Sequence, residues 1–180
     1  MKITSRSGFT LIELLVVIVI IGLLAGIGIS SFTGALNNAK HGKVVSDLKE
    51  IKEAIKILGV QTGFAPTLNS ESTAPTVPAT VRTCTFNSEM LLNNPYMGLL
   101  SDPTGSFYPG WGGPYLESIP LDPWGNQYIY DPDYTCHLTT SGCEGLPDNK
   151  VVRGVHSGGP NGSGINAYDV DDIVTVICVP

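Results

Sequence analysis

Between Phe9 and Phe32 the chain reads FTLIELLVVIVIIGLLAGIGISSF, 24 residues with a single charge, Glu13, and no proline. No other stretch restricts the fold so strongly. At about 1.5 Å rise per residue, a helix of this length reaches roughly 36 Å, enough to cross the hydrocarbon core of a bilayer. Lys2 and Arg6 stand just before it, a bias that keeps the start of a chain in the cytoplasm and exports the part beyond the apolar run. The residue that resists this reading is Glu13. A carboxylate in an inserted segment costs on the order of 3 kcal/mol at the bilayer centre, less near an end, and commonly marks function.

A cleaved secretory signal also has a basic start and an apolar run, but here the run is long and Glu13 interrupts its leading edge. A plain anchor fits the length and leaves Glu13 without a role. The string Ser7-Gly8-Phe9-Thr10-Leu11-Ile12-Glu13 resembles the cleavage site of type IV pilins and type II secretion pseudopilins. That resemblance implies a dedicated peptidase that cuts after Gly8 and methylates the new amino terminus at Phe9, with Glu13 five residues into the mature chain.

The chemistry can be argued from the residues themselves. A cut after Gly8 leaves an ammonium at Phe9, four residues from the Glu13 carboxylate. In lipid, opposite charges attract far more strongly than in water. A neighbouring subunit can bring its own amino terminus beside Glu13, so burial of that charge drives ordered assembly. The resemblance implies the same arrangement, with helices packed side by side in a filament core. Gly22 and Gly26 stand in a G-x-x-x-G frame that lets backbones approach closely. With Gly28 they also weaken the helix, each by about 1 kcal/mol relative to alanine, which allows local unwinding between Gly22 and Ser30.

Removal of a leader (1–8) and an apolar stem (9–32) leaves a remainder large enough for one modest domain. Lys plus Arg number 10 and Asp plus Glu 16, a net charge of −6; without Lys2 and Arg6 the balance is 8 against 16, or −8. So acidic a chain lacks the electrostatic footprint for nucleic acid. All four cysteines lie beyond the apolar run, and in an oxidising compartment an even number points to disulfides, here with three possible pairings. Cys136 and Cys143 flank a short HLTTSG loop, which favours that pair and leaves Cys84 to Cys178.

The stem continues over 33–63 as an amphipathic helix. Val44, Leu48, Ile51, Ile55 and Leu58 recur at helical spacing, with Lys43, Asp47, Lys49, Glu50, Lys52, Glu53 and Lys56 on the other faces. Charge pairs such as Lys49 with Glu53 add only a few tenths of a kcal/mol. Gly59 and Gly63 end the pattern. Residues 64–110 form a looser region: TLNSESTAPTVPAT reads as an exposed loop, and a short helix is expected around Ser88–Leu92.

Order returns over 111–180. Asp122-Pro123-Trp124-Gly125-Asn126 has the chemistry of a turn, and QYIYDP then alternates as a strand above a Trp124 plug. The block from Leu116 to Tyr128 resembles the "lP.DPWGN.Y" segment of major pseudopilins. Residues 151–155 and 173–177 are further strands. The expected fold class is α+β: a pilin-like long N-terminal helix packed on a small antiparallel sheet.

Between the last strands lies HSGGPNGSGINAYDVDD. A phosphate-cradling reading fails, because the loop lacks lysine and no helix comes after it. Asp169, Asp171 and Asp172 offer carboxylates and Asn161 an amide oxygen, donors that suit a hard cation. The comparable loop of major pseudopilins binds calcium, and Ser157–Asn161 and Asp171-Asp172-Ile173 resemble its two ends, with Asn161 in place of an aspartate. That resemblance implies Ca2+ held by Asn161, Asp169, Asp171 and Asp172.

His41, His137 and His156 have no nucleophile framework around them and read as surface or capping residues, so no enzyme is expected. The expected function is a structural subunit of a type II secretion pseudopilus, drawn from the inner membrane into a periplasmic filament. Its implied partners are further copies of itself, minor pseudopilins, an inner-membrane assembly platform and the prepilin peptidase. The alternatives are a type IV pilus subunit and a membrane-anchored binding or hydrolytic protein.

Overall fold

A computed structural model describes residues 8–66, 89–105, 107–163, 167–168 and 170–178, with side chains for all of these except 27–31 and 178. The elements in order are α1 (Leu11–Thr62), β1 (Met90–Leu91), a short 3-10 helix (Pro95–Met97), β2 (Ile129–Cys136), β3 (Lys150–Ser157) and β4 (Ile173–Cys178). The chain divides into two compact units, residues 1–40 and 41–180.

α1 begins where Thr10 and Glu13 satisfy each other's backbone donors and ends at Gly63, which adopts φ 78° and donates to the Gly59 carbonyl at 3.0 Å. Positive φ suits glycine at this position because no Cβ clashes. The helix stays continuous through Gly22 and Gly26, so the local unwinding that these glycines allow is not adopted between Gly22 and Ser30. Without proline, no backbone donor is missing from its ladder. Among the described residues no helix is long and apolar enough to cross a membrane. The run expected to cross, 9–32, includes residues 27–31, whose side chains lie outside the described set.

In the second unit the predicted stripe Val44, Leu48, Ile51, Ile55 and Leu58 is buried, joined by Ala54. Each such aliphatic side chain contributes roughly 1.5–3 kcal/mol by leaving water. Asp47 departs from its expected polar face: it is buried, pairs with Lys43 and accepts a hydrogen bond from the Tyr128 hydroxyl at 2.9 Å. Glu53 pairs with Lys56 at 2.8 Å.

The sheet is antiparallel with strand order β1-β2-β3-β4. Tyr130 pairs with Met90 on one side and Val155 on the other, and these side chains pack with the helix stripe and Ile173. The alternate residues face away from the helix, where Tyr134, Val152, Val174 and the Cys136–Cys143 pair form a second cluster.

The region 64–110 departs from the expected loose loop. Residues 89–92 form β1 and its turn instead of a helix, because Met90 fills the core and Leu92 donates to the Tyr128 carbonyl at 3.0 Å; sheet pairing overrides helix propensity. Met97, Leu99, Phe107 and Tyr108 are fully buried. Gly98 closes the 3-10 turn at φ 68°, and a Cβ there would lie 2.5 Å from the Tyr108 ring. The TLNSESTAPTVPAT stretch lies outside the described residues.

Candidate functional site

Three places carry chemistry. The first is the start of α1. Glu13 Oε2 accepts from the Thr10 backbone N–H at 2.8 Å and from its hydroxyl at 2.7 Å, while Glu13 N–H donates to Thr10 Oγ1 at 3.3 Å. This reciprocal cap was legible as T-x-x-E and gives Glu13 a local partner that sequence reasoning missed. Phe9 is 89% exposed, and every described side chain from Phe9 to Gly26 faces outward. At Gly22 and Gly26 an added Cβ would meet nothing within 4 Å, so within this unit both glycine faces are open to another backbone. Gly8 is described immediately before this cap.

The second place joins the Asp-Pro-Trp-Gly-Asn turn to the C-terminal loop. Asp122 is buried; its Oδ1 accepts from Trp124 and Asn126 N–H at 3.0 and 2.8 Å, and Gly125 supplies φ 94°. Asp122 Oδ2 accepts from the Ser157 hydroxyl at 2.7 Å, and Asn126 Nδ2 donates to the Gly159 carbonyl at 3.0 Å. The turn therefore clamps the root of the loop.

Within the loop, Asn161 Nδ2 donates to Asp171 Oδ1 at 2.9 Å, and Asn161 Oδ1 accepts from Ser163 N–H at 2.7 Å. A Cβ on Gly158 would sit 2.0 Å from the Ser163 carbonyl oxygen, and one on Gly159 would sit 2.3 Å from that of Asp171. Only glycine permits so close a passage. Asp172 turns the other way, buried, and accepts from the Tyr134 hydroxyl at 3.1 Å. The structure thus brings Asn161 and Asp171 together and points Asp172 into the sheet, while Asp169 lies outside the described residues.

Cys136 and Cys143 form the expected disulfide, with Cα atoms 5.6 Å apart. Cys84 and the side chain of Cys178 lie outside the described set.

The third place was not foreseen. His156 is fully buried in β3, against the expectation of a surface histidine, because Tyr134 covers it with ring centroids 5.1 Å apart. Ligand atoms of Glu89, Asp131 and His156 all lie within 4.8 Å of one another. Burial pushes the Asp131 carboxyl up to about 8 and the His156 imidazole down to about 4. The available signal was a polar residue within each strand pattern, at Tyr130-Asp131 and Val155-His156.

Residues 3–29 match the prokaryotic N-terminal methylation motif. With a capped apolar helix start and an α+β domain built on the same helix, the chain is a prepilin-type, pilin-like subunit. Residues 92–150 match the family described as type II secretion system (T2SS), protein G. The chain is 30% identical over 154 residues to the type II secretion system core protein G of Klebsiella michiganensis, covering 82% of this chain and 90% of that one. It is 31% identical to the Escherichia coli K12 protein of the same name, over 69% and 71% of the two chains, and 28% identical to that of Dickeya chrysanthemi, over 88% and 96%. The chain belongs to the type II secretion system core protein G family. No solved structure matches it.

Proposed function

We propose that the chain is the repeating structural subunit of a type II secretion pseudopilus, with no catalytic role. The observation that carries this reading is the start of α1: a methylation motif leading into outward-facing apolar side chains and open glycines. Such a surface finds its partners in lipid and in other copies of the same helix. The first residues stay cytoplasmic, the helix is held in the inner membrane, and the domain lies in the periplasm until the subunit enters the filament. The peptidase cuts between Gly8 and Phe9; the assembly platform and minor pseudopilins then act on the mature chain.

The acidic loop is read as a calcium site. The Asp171 carboxylate faces the Asn161 amide, Nδ2 to Oδ1 at 2.9 Å, and the backbone carbonyl oxygens of Ser163 and Asp171 pass close to Gly158 and Gly159. These are hard oxygen donors of the kind calcium takes. Asn161, Asp169 and Asp171 would hold the ion, which would supply charge neutralisation and fix the loop between β3 and β4; Asp172, expected among the ligands, is instead turned into the sheet by its bond from the Tyr134 hydroxyl.

Processing tests the functional reading. Gly8→Val in cells carrying the secretion system should retain the leader and yield neither filaments nor export. Intact-mass analysis showing a mature chain that begins at methylated Phe9, together with normal export, would overturn it.

A further inference from the structure

We propose that Glu89, Asp131 and His156 form a binding site for a divalent transition-metal ion of the zinc class, separate in position and chemistry from the calcium loop. The strand register builds it. Met90 pairs with Tyr130, which sets Glu89 opposite Asp131, and Ile129 pairs with His156. Residues two apart on a strand share a face, so Asp131 lies on the same face as Ile129 and His156. That face is turned away from the helix stripe.

Burial makes the cluster unusual. Glu89 is 7% exposed, and Asp131 and His156 are 0% exposed. Both ring nitrogens of His156 and Oδ2 of Asp131 have no hydrogen-bond partner. Leaving a buried polar atom unmade costs about 1–3 kcal/mol, and native interiors rarely tolerate it. Three such atoms in one place call for an occupant. A cation satisfies the carboxylates and an imidazole lone pair together, whereas a water offers its protons to only two of them.

The donor set selects the ion. Calcium and magnesium take oxygen ligands, while imidazole nitrogen with carboxylate oxygen suits zinc and its neighbours. Both His156 ring nitrogens lack a hydrogen-bond partner, which leaves an imidazole lone pair open to coordinate. The Tyr168 hydroxyl donates to Glu89 Oε1 at 3.0 Å, fixing that carboxylate in the way that surrounding hydrogen bonds orient metal ligands. Tyr168 and Tyr134 stack edge to face at 4.8 Å and close the side of the cluster beside His156. A metal here would tie β2 and β3 to the residue that leads into β1, linking three of the four strands of the sheet.

The test uses the full chain in detergent, stripped with a chelator and then titrated with zinc chloride. Cobalt chloride serves in parallel as a spectroscopic probe. The expected result is one zinc ion per chain, a rise of several degrees in melting temperature, and visible ligand-field bands from cobalt. His156→Gln and Glu89→Gln should each weaken zinc binding at least about 10-fold. Asp171→Ala should leave it unchanged, and calcium should not displace zinc. Wild-type chain that takes up no zinc and shows no cobalt bands would overturn the proposal, leaving a protonated Asp131 as the answer to the buried charge. Zinc binding at wild-type strength in both glutamine variants would overturn it equally, by placing the ion elsewhere. Because the first readouts are on wild-type protein, the outcome stands even where a variant fails to fold.

Discussion

The two ends of α1 share one backbone and have opposite fates. From Leu11 to Leu24 the large apolar side chains are all exposed, Leu15 at 57%, whereas from Val44 to Leu58 the apolar stripe is buried, Leu48 at 1%. Helix-forming tendency does not separate them; the presence of a covering sheet does. The buried part is a solved packing problem. The exposed part is an unsolved one within this chain, and its solution belongs to lipid or to other copies. Stability should therefore be read from one end of the helix and assembly from the other.

The sharpest way to break that division is Glu13→Leu. Its carboxylate bonds only locally to Thr10 and is exposed, so the melting curve of the full chain in detergent should not move. Filaments counted by electron microscopy should be lost, because the incoming amino terminus has no carboxylate to meet. A normal filament yield would show that charge pairing does not drive assembly.

Next in size is Leu48→Ala set against Leu15→Ala. Truncating the buried leucine should cost about 3 kcal/mol, on the order of 10 °C in melting temperature. Truncating the exposed one should stay within about 0.5 kcal/mol. Equal shifts would mean that the two ends of α1 are not independent in stability.

The smallest effect sharpens the domain side alone. If calcium binds the acidic loop, the stabilisation grows as RT ln(1 + [Ca]/Kd), about 2.7 kcal/mol at a concentration 100 times Kd. Asp171→Ala should erase that increment and leave the calcium-free melt nearly where it was. Magnesium should substitute poorly, since it demands a tight octahedron. Superimposable melts with calcium and with chelator would mean that the loop is only acidic surface.

What the sequence revealed was local. The stripe at Val44, Leu48, Ile51, Ile55 and Leu58 comes from helical spacing, and the Asp122–Asn126 turn from side chains that bond their own backbone. The Cys136–Cys143 bridge was legible because so short a loop separates the two. What stayed hidden was set by register. Glu89, Asp131 and His156 meet only through the pairings of Met90 with Tyr130 and Ile129 with His156, and a slip of one residue would turn each side chain to the other face. Asp47 was misplaced for a related reason, since its partner Tyr128 comes from the distant turn. The role of residues 89–110 was hidden by their content of turn formers, which masks four fully buried apolar side chains at Met97, Leu99, Phe107 and Tyr108.

The cap between Thr10 and Glu13 bears on how such subunits are stored before use. A carboxylate already held by its neighbour's hydroxyl and amide is not waiting bare in the bilayer. In the proposed filament, a joining subunit would exchange the Thr10 hydroxyl and amide for a neighbour's amino terminus, so assembly would draw on a trade of partners and not on relief of an unmet charge.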